Sequence, residues 1–490
     1  MNKAVIQGWA LAVAGVAVLE LGSAPARAQE STVEQLQELQ ELRVEVGRRR
    51  AELQRELRLL KQVMGEGAVE EMAQFERSLG GMSADEVAAE LRMLREELER
   101  LRDQVVQTQL GAREERFAVS GQSRTRFEWN DADFVSGDAD LVQLMRSRLR
   151  VVGRPYIDTR VVVELQDARL WGEETEPSDA DGDQVDFHQA YLELEEIYSR
   201  PLSLRLGRQE LEYAGGRALS PSPWTNRGQA FDALRLRYGG ESHVDVVYGK
   251  LAETGPQDVR DRNLYGLFGT VVQQAHRVEP FVMVEHDKRS GADRLLRATA
   301  GLAAAGSGAT PTGHVFGYRV EGAFQTGEAE TRDILAWRGA AAVTYSGPSW
   351  TRPQVDLGTD WVSGDGNLTD ADERAFRAPF ATRHRYFGYM DLFGDLASGT
   401  QERGLADIYL KGEMSASEEV RLALHLHHFA LVEGAQNKLG QEADVTLSYT
   451  FNPACTVGWG GMVFVPGDAM KATEGEDPAF KTYLETTVRF

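Results

Sequence analysis

From Phe117 to Phe490 the chain keeps an apolar period of two, and its connections alternate between short turns and long polar links. Turn-like stretches fall at 153–155, 199–201, 239–242, 275–277, 346–349, 415–418 and 452–454. Interleaved with them are polar, often acidic links at 172–186, 214–228, 252–261, 363–403, 432–440 and 466–479. A Ser/Gly-rich link at 306–313 is the one short-side connection that reads long. A soluble sandwich has no reason to sort its loops by parity, whereas an outer-membrane barrel carries short turns at one rim and long loops at the other. The terminal KTYLETTVRF (481–490) reads the same way. Leu484, Thr486, Val488 and Phe490 share one face of a strand, and Glu485, Thr487 and Arg489 the other. The expected fold is an all-β transmembrane antiparallel barrel of about 18 strands over residues 117–490.

The N-terminal quarter has a different period. Residues 1–28 have the layout of a secretory signal peptide: Lys3, an apolar run over Ala10–Leu19, and small residues at Ala26-Arg27-Ala28. Residues 29–112 read as a periplasmic helical segment nearly free of aromatics. Ser83–Glu86 forms a capping box, after which Val87, Leu91, Leu94, Leu98, Leu101 and Val105 step by four and three. That seam is expected to self-associate or to lie on a periplasmic partner through residues 83–110, the alternative being a solvated helical hairpin. No later apolar run is long enough for a membrane helix, so a membrane-spanning form must be a closed barrel, which alone satisfies its backbone in lipid.

A net charge of −22 argues against nucleic acid as a partner, since phosphate binding needs clustered Lys and Arg. The single cysteine, Cys455, excludes a disulfide framework and a thiolate metal site. Acidic loops beside the phosphate-rich heads of lipopolysaccharide fit an outer-membrane location if divalent cations bridge the two. Asp179, Asp181 and Asp183 have a spacing that can hold Ca²⁺; a solvated acidic loop is the plainer reading.

Several strands place arginines opposite their apolar residues. Arg124 and Arg126 alternate with Thr125 and Phe127; Arg146, Arg148 and Arg150 alternate with Ser147, Leu149 and Val151. Arg205 lies between Leu204 and Leu206, and Arg235 and Arg237 alternate with Leu236 and Tyr238. A charge facing lipid at mid-membrane costs about 2–4 kcal/mol, so these side chains should face the barrel interior. Guanidinium groups concentrated in the first six strands suit an anionic solute, because each can pair bidentately with a carboxylate.

The stretch LRLGRQELEYAGGRALSPSPWTNRGQAFDALRLRY (204–238) resembles the alginate export family of outer-membrane barrels. The matching positions are Gly207, Arg208, Gln209, Glu210, Tyr213, Arg217, Trp224, Asn226, Phe231 and Asp232, with Tyr213-Ala214-Gly215 departing from the family's Tyr-Gly step. SGDGNLTDADERAFRAPFATRHRYFGYMDLF (363–393) is similar as well, as is Gly440-Gln441-Glu442 with Asp444. The resemblance implies an 18-stranded barrel that conducts an anionic polyuronate outwards, with loops able to occlude it. It adds Arg208, Glu210, Arg217, Asn226 and Asp232 to the translocation candidates. The apolar phase of Leu202, Leu204 and Leu206 directs Arg208 and Glu210 towards lipid unless Gly207 marks a bulge.

Four functions compete. The first is an exporter of an anionic exopolysaccharide, with no covalent chemistry and no cofactor. The others are an oligomeric porin for anions or sugars, a structural outer-membrane anchor, and a barrel enzyme. For the last, His425 and His427 in LHLHHF share a strand face as a metal pair or as lumen-lining side chains, with His428 on the other face. No Ser-His-Asp arrangement is visible.

Overall fold

The computed structural model describes residues 117–132, 134, 139–172, 185–253, 261–289 and 295–490. The expected signal peptide, the helical segment and the Asp179, Asp181 and Asp183 cluster lie outside them. Strands β1 (Phe117–Asp131), β2 (Asp140–Tyr156), β3 (Thr159–Leu170), β4 (Val185–Leu194), β5 (Leu202–Gln209) and β6 (Phe231–Gly239) open the sheet. They are followed by β7 (His243–Ala252), β8 (Arg262–Gln273), β9 (His276–Asp287), β10 (Leu295–Ala309), β11 (Val315–Ala329) and β12 (Arg332–Ser346). Next come β13 (Gln354–Val362), the two-residue β14 (Asp372–Glu373), β15 (Leu405–Ser415) and β16 (Val420–Leu431). The last three are β17 (Lys438–Asn452), β18 (Cys455–Pro466) and β19 (Ala479–Arg489).

Each long strand pairs antiparallel with its neighbours, and β19 returns to β1, closing an 18-strand barrel; β14 bridges parallel to β12 inside a loop. Closure leaves no unpaired edge for lipid to meet. At the seam Phe490 and Gly121 exchange both backbone hydrogen bonds, at 2.9 and 3.1 Å. The Phe490 ring lies over Gly121 where a Cβ would stand, so a larger residue there would have to displace that exposed ring.

The period of two becomes two environments. Leu206, Leu267, Val320, Leu335, Leu357 and Ile408 stay exposed on the outer face, where lipid is their solvent. Trp129, Trp171, Tyr265 and Trp361 ring the long-loop rim; Phe117, Phe316, Trp350 and Phe451 ring the other. This is the pair of aromatic girdles a barrel sets at its two interfaces. No helix among the described residues is long and apolar enough to cross a membrane.

Two turn positions differ from the sequence expectation. β2 runs through Gly153-Arg154-Pro155 to Tyr156, and the chain reverses at 157–158. The ladder slips between Gly153 and Tyr156, where Pro155 has no N–H to donate, so proline marks a bulge rather than a turn. The link expected at 306–313 is likewise shorter, because Gly306, Ser307 and Gly308 remain paired with β11. The loop-parity rule has one exception, a two-residue turn at 330–331 on the long-loop rim.

Candidate functional site

The barrel interior is crossed by two of its own loops, 210–230 and 363–404. The first is held by the inward arginines of β1 and β2. Arg124 Nη1 donates to the Pro223 carbonyl at 2.9 Å and its Nη2 to Thr225 O at 3.0 Å. Arg126 Nη1 donates to Trp224 O at 3.0 Å while its guanidinium lies 3.8 Å over the Trp224 ring. Arg146 reaches Pro223 O and Thr225 O, both at 3.2 Å. Asn226 completes the attachment, its amide donating to Met145 O and Arg169 O at 3.2 and 3.1 Å. Three sequence-predicted arginines are therefore buried and committed to loop carbonyls. Such charge-assisted bonds are the stronger kind, worth about 1.5–3 kcal/mol each.

Arg217 anchors the same loop at the opposite wall. Its guanidinium lies 2.5 Å from Asp360 Oδ1 on β13 and 3.3 Å from Glu321 Oε2 on β11, with the Tyr386 ring 3.5 Å beneath it. Burial disfavours this charge, but Asp360, Tyr386 and Glu321 outweigh it and raise the Arg217 pKa above the ordinary arginine value. Ala214, between Tyr213 and Gly215, takes a left-handed φ of 52° in the turn just before, a strained conformation for alanine.

Loop 363–404 fills the remaining side. Trp224 stacks on His384 with 3.7 Å between ring centroids, and His384 Nδ1 shares a 2.7 Å hydrogen bond with Asp391, which also accepts from Lys481 Nζ at 2.7 Å. Burial lowers the pKa of His384 and prevails over the opposing pull of Asp391. Met390 N–H donates to Glu442 Oε1 at 2.8 Å and Tyr389 N–H to Asp444 Oδ2 at 3.3 Å. Gly388, at φ 82°, lets the loop approach this closely, since a Cβ there would overlap the Glu442 carboxylate. The three separate stretches 204–238, 363–393 and 440–444 thus meet in one place.

Between loop 363–404 and the β8–β12 wall lies a cavity of about 190 Å³ lined by Arg217, Arg262, Arg297, Arg338, Arg377 and Arg383, against Glu285 and Asp395. Arg297 pairs with Glu285 at 3.2 Å, Arg377 with Glu373 at 2.7 Å, and Arg338 with Glu321. The Nε atoms of Arg297 and Arg338 are buried without an acceptor. Sequence reasoning confined the arginines to the first six strands and missed this group. Its signal was present, because Arg262, Arg297 and Arg338 sit in period-two phase opposite the outward Tyr265, Leu296 and Trp337.

The remaining candidates divide. Arg205 and Arg235 share Glu193 at 2.8 and 3.2 Å, and Arg237 forms two 2.7 Å bonds to Asp245. Arg148 and Arg150 lie 3.6 and 3.7 Å from Glu164, and Arg150 is the more exposed. Arg208 does not join them. It keeps the outward phase of Leu206 and pairs with Asp232 at 3.3 Å in an exposed position, so neither residue lines the interior. Glu210 does turn inward, because β5 ends at Gln209 and releases the alternation; it meets His188 at 2.7 Å and Arg148 at 3.5 Å. His425 and His427 face inward, and His428 is exposed on the outer face.

Solved structures similar to this fold include outer-membrane proteins. OprD from Pseudomonas aeruginosa superposes with a TM-score of 0.55 at 9% identity, covering 77% of this chain and 94% of its own. OccAB3 from Acinetobacter baumannii gives 0.55 at 11%, covering 76% and 99%. OccK8 (OprE) from P. aeruginosa gives 0.54 at 10%, covering 76% and 98%. These identities speak to fold alone. A search of curated proteins gives no match. The closed barrel and its girdles, together with the family match over residues 116–437, make the protein an integral outer-membrane channel. The alginate export family matches residues 116–437, more than half of the chain, and this outer-membrane barrel belongs to that family.

Proposed function

We propose that the channel exports an anionic exopolysaccharide of the alginate-like polyuronate class through an arginine-lined lumen. The observation that carries this reading is the cavity of six arginines, with two buried Nε donors on its wall left without acceptors. A carboxylate on each sugar is the ligand such a wall selects, since guanidinium pairs with it bidentately. The family description supports export as the direction. Arg148 and Arg150 add two further inward guanidinium groups on the facing wall, beside Glu164.

The test is ion selectivity in planar bilayers with uronate oligomers added as blockers. The unmodified channel should prefer anions despite its net charge of −22, because loop carboxylates are screened beyond a Debye length of about 8 Å while inward arginines act at contact. Replacing Arg262, Arg297 and Arg338 by Gln should weaken oligouronate block at least about tenfold. Replacing Arg146, Arg148 and Arg150 by Glu should reverse or abolish the anion preference. The triple variant should also raise conductance, because Arg146 clamps loop 210–230. Cation selectivity in the unmodified channel would defeat the polyuronate reading and leave a general porin.

A further inference from the structure

The inner face of β16 and β17 carries polar groups that transport does not use. His425 and His427 stand two residues apart on β16, both buried, and Asp444 of β17 is directly cross-strand from His425, with Glu442 cross-strand from His427. Ligand atoms of His425, His427 and Asp444 all lie within 4.8 Å of one another.

The hydrogen-bonding inventory is lopsided. His427 Nδ1 meets the Asp407 carboxylate at 2.9 Å, which leaves Nε2 as the open ring nitrogen, and Nε2 has no partner. Neither ring nitrogen of His425 has one. Asp444 spends Oδ2 on the Tyr389 N–H and Glu442 spends Oε1 on the Met390 N–H, and the two carboxyls otherwise face each other. Both ring nitrogens of His425 and Nε2 of His427 are thus left open beside the carboxyls of Asp444 and Glu442. Buried ring nitrogens left unmatched are unfavourable in a low-dielectric interior. Lys411, cross-strand from His425, is one cation against Asp407, Glu442 and Asp444.

We propose that His425, His427 and Asp444, with Glu442 beside them, form a site for one divalent ion of the borderline class that imidazole and carboxylate share, with Zn²⁺ as the best fit. Two imidazole nitrogens and one carboxylate oxygen supply three of the four positions of the tetrahedral geometry that Zn²⁺ prefers, at bonds of about 2.0–2.2 Å. Ca²⁺ and Mg²⁺ want oxygen ligands, so the histidine pair selects against them. The His427–Asp407 contact is the carboxylate bond that orients a ligating imidazole. The ion would also neutralise the two carboxylates that hold Tyr389 and Met390, and so stiffen loop 363–404 against the wall.

The experiment uses the full chain folded in detergent, with Co²⁺ as a spectroscopic probe. One equivalent should produce visible d–d absorption of a low-coordinate site, displaced by Zn²⁺ and not by excess Ca²⁺. His425→Gln and His427→Gln should each weaken Co²⁺ binding at least about tenfold, and Asp407→Asn roughly 10–100-fold without removing a ligand. No absorption in the wild-type barrel, equal binding in the double histidine variant, or displacement by Ca²⁺ would each overturn the site. Heat-modifiable gel migration checks folding. If the double variant fails that check, His425→Gln alone decides, since the His425 ring makes no hydrogen bond whose loss could unfold the wall.

Discussion

Arg217 and Asp360 meet at 2.5 Å inside the barrel, joining the loop between β5 and β6 to strand β13. Both side chains are almost fully buried, at 4% and 2% exposure, and Glu321 is the second carboxylate on the same guanidinium. Removing one member of such a group leaves the others charged and unpaired, at about 3–5 kcal/mol. Arg217→Ala should therefore free this end of loop 210–230. Single-channel recording should show a larger or noisier conductance than the parent. An unchanged current in a folded variant would mean that the loop is held without Arg217.

His384 makes the second loop sensitive to pH. Its pKa is lowered when the loop is docked, by burial above all, against an ordinary value of 6.5. The released loop then binds more protons than the docked one below pH 6.5. Docking stability is fully present above that pH and is lost as pH falls through the lowered docked value. Asp391 acts lower on the scale: burial would raise its pKa, but His384 and Lys481 hold it below 3.8, so its contribution persists until stronger acid. Channel current should become larger or noisier between pH 7 and pH 5, and His384→Gln should flatten that response. A His384→Gln channel with the parent's pH profile would rule the histidine out.

The segment before the barrel carries its own expectation. The seam from Val87 to Val105 is one continuous apolar stripe, so a peptide of residues 83–110 should be helical and oligomeric. Circular dichroism should report helicity that rises with concentration. Concentration-independent helicity would leave the solvated hairpin.

The barrel was legible because it is a repeated local rule. Every strand must offer lipid one face, so the period of two, the loop parity and the aromatic girdles are written residue by residue, and Arg146, Arg148 and Arg150 declare their face through Leu149 and Val151. Rules of that kind fail where the strand stops. The phase of Leu204 and Leu206 left Arg208 and Glu210 open between lipid and a bulge at Gly207; Arg208 stays outside, against its place among the translocation candidates, while Glu210 lies past the end of β5 and turns in. The proline at 155 read as a turn because a missing N–H marks a turn and a bulge alike.

What the sequence determined by itself was therefore the membrane, the barrel and the face of strand residues away from bulges and strand ends, since these follow from the solvent each residue meets. Tertiary structure alone decided what the inward arginines touch. Arg124 and Arg146 face Pro223 and Thr225 across roughly 75–100 positions of chain, and Arg217 meets Asp360 from a loop with no period at all. Periodicity encodes a direction relative to the sheet, but not the identity of the partner that arrives from elsewhere. The arginine cavity exists only because closure of the barrel and the return of loop 363–404 bring distant polar groups into one low-dielectric space, whereas the His425–His427–Asp444 cluster follows from the pairing of β16 with β17.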